Sequence, residues 1–329
     1  MNNHRILSTG SVLPVAADIL GRFGRIEIAR KTDEDSLVEL MKGTIALLVR
    51  GVTPIPARVI EAGAELRVIG RTGAGYDNID IAAATEHGIP VVFTPGAGAK
   101  AVAEGTLAMI LALVKRLPEL DHKTRIGEWQ ARDNTVIGDL QGSIVGIIGL
   151  GRIGREVSHL TRAFDARVIS YDPAVSKEVA AAAGTELVDL DVLLSQSDII
   201  TLHAPLSGQT RGMINRRCLS LVKKGAILVN AARGGLMESL DVVYEALESG
   251  RLSAVGLDVF PVEPPDLAHP IFRHPRALFT PHAIGLSVKG AQAIFVMASK
   301  GIADVLEGRI PQNVVNPEVF RKSLKGSVT

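Results

Sequence analysis

Ser143-Ile-Val-Gly-Ile-Ile-Gly-Leu-Gly-Arg-Ile-Gly154 is an apolar run of strand length that breaks into Gly149, Gly151 and Gly154. The spacing is G-x-G-x-x-G, and each glycine has a separate task in a phosphate-binding turn. Gly149 permits the tight turn, Gly151 lets the backbone approach a pyrophosphate, and Gly154 lets the next helix sit close to the strand. Such a turn is weak evidence alone. Here a buried strand precedes it, and an amphipathic pattern (Ile153, Val157, Leu160, Phe164) follows, so a helix N-terminus faces the phosphates. Eighteen residues past Gly154, Asp172 ends the next strand, where an acid holds the ribose hydroxyls and repels a 2′-phosphate; NAD is favoured over NADP.

Outward from this turn the chain repeats one theme. The spacing predicts strands at Arg5–Ser8, Ile26–Ala29, Ile45–Val49, Leu66–Ile69 and Pro90–Val92. A long helix follows over about Lys100–Leu117, then a polar, irregular stretch (Asp121–Asp139). A second series of strands is predicted at Ile144–Ile148, Arg167–Tyr171, Asp198–Leu202, Ala226–Asn230, Ala254–Asp258 and Ala277–Thr280, and a last helix over about Ser287–Glu307. Strands alternating with helical patterns imply an α/β protein of βαβ units. A chain of 329 residues suits two such domains, with a boundary near residues 97–100 where the pattern restarts. Aromatics are only 4% of the chain, so aliphatic residues must build the core, as in buried parallel sheets.

Composition narrows the partners. The net charge of +1 gives no electrostatic reason to expect nucleic acid or an anionic membrane. Cys218 is the single cysteine, which excludes an intrachain disulfide and fits a reducing compartment. Met1–Leu20 has no compact apolar segment of a targeting signal, and no run is long enough to span a bilayer, so the expected location is cytoplasmic.

The reaction must come from residues other than the glycine turn. Hydride exchange with a carbonyl calls for an acid at the carbonyl oxygen and a cation for any carboxylate beside it. Arg233 follows the strand Ala226–Asn230 and offers a planar fork for a carboxylate. Asp258 ends the next strand, Glu263 sits in Phe260-Pro-Val-Glu-Pro264, and His282 follows the last strand in Thr280-Pro-His-Ala-Ile-Gly285. Histidine titrates nearest neutral pH, and a carboxylate partner fixes its tautomer. Each residue alone has a structural explanation. Their succession on strand-end loops, where ligands bind in open α/β sheets, shifts the balance. His203, in Leu202-His-Ala-Pro-Leu206, reads by itself as a structural strand-end residue.

The motifs Gly149-Leu-Gly-Arg-Ile-Gly154, Leu202-His-Ala-Pro-Leu206, Asn230-Ala-Ala-Arg-Gly234, Leu257-Asp-Val-Phe260 with Glu263-Pro264, and Thr280-Pro-His282 come in an order that resembles the D-isomer-specific 2-hydroxyacid dehydrogenases. That family includes D-3-phosphoglycerate dehydrogenase and glyoxylate/hydroxypyruvate reductase, and the resemblance covers about Arg5–Phe320. It implies two domains of Rossmann-like or flavodoxin-like α/β fold, each a parallel sheet flanked by helices. Residues 1–98 plus 286–329 would form the discontinuous substrate-binding domain and 99–285 the NAD-binding domain, with the active cleft between them.

The same resemblance implies that Arg233 binds substrate and that His282, paired with Glu263, is the acid/base. It places cofactor contacts at Arg152, Ile153, His203, Ala204, Pro205, Thr210, Ala231, Asp258 and Gly285, besides Gly149, Gly151, Gly154 and Asp172. It further implies a homodimer joined through the long helix and the segment after it. Arg71-Thr-Gly-Ala-Gly-Tyr-Asp-Asn-Ile-Asp80 resembles the family's substrate loop, with backbone N–H groups of Ala74 and Gly75 on the substrate carboxylate. Arg50 and Arg71 match arginines that reach a substrate's distal end; they suit a second anionic group, and they equally suit pairing with surface acids.

Two positions depart from many relatives: Gly98 stands where they have Asn, and Gly105 where they have His. The expected function is NAD-dependent interconversion of a small 2-hydroxy acid and its 2-keto acid, phosphoglycerate-, sulfolactate- or dicarboxylate-like. The alternatives are a glyoxylate/hydroxypyruvate reductase and, from another class, a non-catalytic NADH-sensing scaffold.

Overall fold

The computed structural model describes residues 4–325, which form two compact units: residues 4–98 with 287–325, and Ala99–Leu286.

In the first unit, β1 (Arg5–Ser8), β2 (Arg25–Ile28), β3 (Thr44–Val49), β4 (Val68–Arg71) and β5 (Val91–Val92) make a parallel sheet of order β2-β1-β3-β4-β5. That order is flavodoxin-like. Every residue of β3 is buried, because helices cover both faces of the sheet. Leu47 and Val49 face one apolar cluster with Leu37, Val59, Ile60 and Ala84. Ala46 and Leu48 face the other, with Ala16, Leu20, Phe295, Ala298 and Ile302. The last three belong to the helix Val288–Leu306, so a segment nearly two hundred residues after β5 completes this core.

The second unit holds β6 (Ile144–Ile148), β7 (Arg167–Tyr171), β8 (Glu186–Leu187), β9 (Ile199–Leu202), β10 (Ala226–Asn230), β11 (Leu252–Leu257) and β12 (Ala277–Phe279). All pair in parallel, in the order β12-β11-β10-β9-β6-β7-β8. From β6 the chain winds outward through β7 and β8, then returns to β9 on β6's other side. The carboxyl ends of β6 and β9 therefore flank the switch point where such folds bind ligands. Helix Ala99–Val114 lies on one face through Ala103, Met109, Ile110 and Leu113.

The long helix stops at Val114; a helix at Leu117–Arg125 runs into the stretch expected to be irregular, and another at Ala131–Asn134 lies within it. Neither has a buried residue, so neither carries the apolar period that would reveal it. The two-residue β8 was likewise not predicted; it is short and lies at the sheet's edge. Among the described residues, no helix is long and apolar enough to cross a membrane.

Candidate active site

At the end of β6, Gly149 takes φ +94°, a left-handed conformation that favours glycine. A Cβ there would lie 2.6 Å from the His203 carbonyl carbon, so β9 and the turn touch through bare backbone. A Cβ on Gly154 would run into the Gly149 carbonyl oxygen, while one on Gly151 would meet nothing within 4 Å. The turn is thus closed on its protein sides and open at Gly151, which is the N-cap of helix Arg152–Arg162 and has no capping side chain. Unpaired helix N–H groups beside open space fit a pyrophosphate, with Arg152 and Ile153 in the first turn.

Asp172 completes this half. Its Oδ2 accepts from Leu150 N at 2.8 Å and its Oδ1 from Ala174 N at 2.9 Å, so the carboxylate is anchored to the turn itself. His203 N donates to Ile148 O, and His203 Nε2 pairs with Thr201 Oγ1 at 2.9 Å. Its Nδ1 is buried without a hydrogen-bond partner, and burial pushes the imidazole down to about pKa 3. His203 is a neutral residue beside the glycine turn, with one polar atom still unused. Next to it, Thr210 Oγ1 donates to Pro205 O at 2.6 Å and accepts from Ser207 N, tying down the Ala204–Thr210 loop. The residues present therefore fit a nicotinamide dinucleotide.

The chemical half follows β10, β11 and β12. Buried Asn230 accepts from Ala232 N at 3.1 Å and donates to Arg233 O at 2.9 Å, so one side chain holds the Ala231–Arg233 turn. Arg233 Nη1 donates to Ala232 O. Gly234 packs so tightly on the Phe260 backbone that a Cβ would not fit, which joins the Arg233 loop to the Glu263 loop.

Glu263 Oε1 accepts from Phe260 N at 3.0 Å, and Glu263 Oε2 lies 2.8 Å from His282 Nδ1. Partial burial alone would raise the Glu263 pKa. The hydrogen bonds from His282 and Phe260, with the nearby charge of His282 and Arg233, outweigh it and hold the carboxyl below the usual range. A carboxylate on Nδ1 keeps a proton there and leaves Nε2 as the nitrogen that exchanges one.

His282 sits at φ +52°, rare for a residue with a side chain. Asp258 enforces it. Its Oδ1 accepts from Thr280 Oγ1 at 2.6 Å, Ala283 N at 2.8 Å and Ile284 N at 3.1 Å, while its main-chain oxygen accepts His282 N at 2.8 Å. One buried carboxylate thus gathers the loop from 280 to 284 around itself, and strain of this kind persists where the surroundings over-determine it.

In the first unit, Arg71 is buried, and its guanidinium donates to Gly75 O at 2.9 Å and Thr72 O at 2.8 Å. It laces together the loop that carries Ala74 and Gly75. Arg50 is half-buried, with its guanidinium 4.6 Å above the Phe295 ring. Burial lowers its pKa, and no carboxylate lies within ion-pair distance of it among the described residues.

Sequence reasoning named Arg233, Glu263, His282 and Asp258, and the structure brings all four onto adjoining loops of one sheet. It missed the roles of Asn230 and Thr280, although both stood inside quoted motifs. It missed Phe295 altogether, since only the fold brings that helix to Arg50.

These features define the class: a doubly wound α/β protein built to bind a nicotinamide dinucleotide beside an Arg–Glu–His group. Residues 107–283 match the NAD binding domain of the D-isomer specific 2-hydroxyacid dehydrogenases. A D-3-phosphoglycerate dehydrogenase of Methanocaldococcus jannaschii is 41% identical over 97% of this chain and 61% of its own length. A glyoxylate reductase of Aeropyrum pernix is 33% identical over 98% of both. The solved structure of a D-lactate dehydrogenase from Aquifex aeolicus, complexed with NAD and lactic acid, superposes with a TM-score of 0.86 at 26% identity, covering 95% of this chain and 99% of that one. The chain belongs to the D-isomer specific 2-hydroxyacid dehydrogenase family. It spans about three-fifths of the length of the phosphoglycerate dehydrogenases it matches.

Proposed function

We propose that the protein interconverts a small 2-keto acid and its 2-hydroxy acid with NAD(H), and that its substrate carries a second anionic group. The observation that carries the reaction is the 2.8 Å His282–Glu263 pair on a loop held by Asp258, with Arg233 on the adjoining loop. NADH, when bound, supplies the hydride. His282 donates its Nε2 proton to the developing alkoxide, and Glu263 balances the imidazolium. Arg233 presents its fork to the carboxylate and carbonyl of the keto acid. In the oxidative direction His282 takes the proton back.

Arg50 supports the distal anion: a guanidinium stacked on an aromatic ring without a carboxylate partner is ready to accept one. Arg71 supports the smaller, glyoxylate-like substrate instead, because its donors are engaged by Thr72 and Gly75 and it serves as a brace for the loop. The test is NADH oxidation with 2-keto acids bearing neutral, carboxylate, phosphate and sulfonate tails. Preference for a doubly anionic substrate that vanishes in Arg50→Ala is the expected result. Equal use of glyoxylate and no effect of Arg50→Ala would decide for the smaller substrate.

The partner of the second unit is proposed to be a second copy of the chain. Ile126, Trp129, Val136 and Ile137 stand exposed on the segment after the long helix, and a second copy would cover them.

A further inference from the structure

Helix Ala99–Val114 meets the catalytic strand and loop through one face, at Val102, Gly105 and Met109, which are spaced to lie on the same side. Each contact involves a glycine. A Cβ on Gly285 would stand 2.5 Å from Val102 Cγ2, and one on Gly256 in β11 would stand 2.6 Å from Met109 Cγ. In these two the yielding partner is a side chain. Gly105 differs. A Cβ there would collide with Ile284 Cγ1 and lie 2.6 Å from the Ile284 carbonyl oxygen, which is main chain.

Ile284 is no ordinary neighbour. Its N–H is one of the three donors that Asp258 Oδ1 gathers, two residues from His282. Its side chain packs against the apolar cluster under the long helix. The backbone that meets Gly105 on one side is thus the backbone that fixes the left-handed turn at His282 on the other.

We propose that Gly105 is a positioning residue for His282: the absent Cβ lets the long helix bear directly on the Ile284 main chain and sets where the 280–284 loop stands. This rests on the reading of His282 as the proton donor. It also gives the departure at Gly105 a physical meaning, since with Ile284 and its carbonyl oxygen in this place no side chain at 105 is accommodated. Adding one must lift Ile284 N from Asp258, relax His282 and lengthen its contact with Glu263. The effect falls on proton transfer and spares the glycine turn, which lies at the end of a different strand.

The experiment compares the wild-type protein with Gly105→Ala in two readouts. One is the NMR signal of the His282 ring, assigned among the eight histidines by its loss in His282→Gln. The other is steady-state NADH oxidation, with NADH binding measured separately by fluorescence. The His282 signal should move, kcat should fall roughly ten- to a hundredfold and its pH profile should change shape, with NADH affinity falling by clearly less than kcat. Should Gly105→Ala not fold, the same readouts are made on Gly105→Ala/Ile284→Ala. There the side-chain collision is gone and the carbonyl contact remains, so a reduced kcat is still expected. An unmoved His282 signal in a folded variant, or equal loss of turnover and NADH binding, would overturn the proposal. A moved signal in a protein whose wild type reduces no keto acid would uphold the positioning and refute the proposed reaction.

Discussion

The loop after β12 and the loop after β4 solve one problem, holding reactive groups still, with opposite means. In the second unit, a carboxylate inside the loop's curve collects donors: Asp258 takes the Thr280 hydroxyl and the Ala283 and Ile284 N–H groups, and Glu263 takes the His282 ring. In the first unit, a guanidinium inside the curve collects carbonyls: Arg71 takes Gly75 and Thr72. The acceptor-centred loop turns its N–H groups inward and presents a side chain. The donor-centred loop turns C=O groups inward and leaves its N–H groups for an anion. The sign of the central residue decides which half of the backbone turns inward.

Removing the two centres should therefore have unequal effects. Asp258→Ala strands three partly buried donors, each worth up to about 1–3 kcal/mol when left unpaired, and frees His282 from its turn. We expect a drop in kcat of about three orders of magnitude. The second unit should also melt lower by roughly 5–15 °C in calorimetry. A folded Asp258→Ala enzyme with near-normal kcat would break the comparison. Glu263→Gln is milder. Its loss removes the acceptor that orients the His282 ring through Nδ1, so kcat should fall by about one to two orders of magnitude with NADH binding kept. An unchanged kcat would end the assigned pairing.

Glu263 also sets an acid limit on stability. Its carboxyl is held below the ordinary range, so its contribution is complete above the unfolded value of about 4.3 and is lost as pH falls through the lower folded value. Glu263→Gln should flatten the stability curve in that window, measured by denaturation from pH 5 to pH 2. The Arg71 loop sharpens the contrast. Arg71→Ala should raise KM for every keto acid tested, by roughly tenfold, because it braces the loop proposed to take the carboxylate common to all. Arg50→Ala should raise KM only for substrates with a distal anion. The smallest effect on turnover belongs to Trp129→Glu, which should leave kcat within about twofold while shifting the protein toward monomer in light scattering.

The sequence showed most of the second unit plainly, for a physical reason. Its central strands, β6, β9, β10 and β11, are buried on both faces and bounded by glycine or charge, and its candidate site residues follow these and the edge strand β12 at once, so position along the chain is nearly position in the site. Arg233, Asp258 and His282 were legible on that account. Helix Leu117–Arg125 was not, because nothing on it is buried. The Arg50–Phe295 stack joins residues 245 apart and left no local trace. Gly105 was visible only as an oddity, since an absent side chain tells nothing until its neighbour is known.

One measurement bears most directly on the central claim: NADH consumption by the wild-type protein and by His282→Gln, at saturating cofactor, with a 2-keto acid that the wild type reduces. The expected result is equal NADH binding and a turnover lower by about two to four orders of magnitude in the variant. Turnover in His282→Gln within a few-fold of wild type, with NADH bound equally well, would contradict the assignment of His282 as the proton donor.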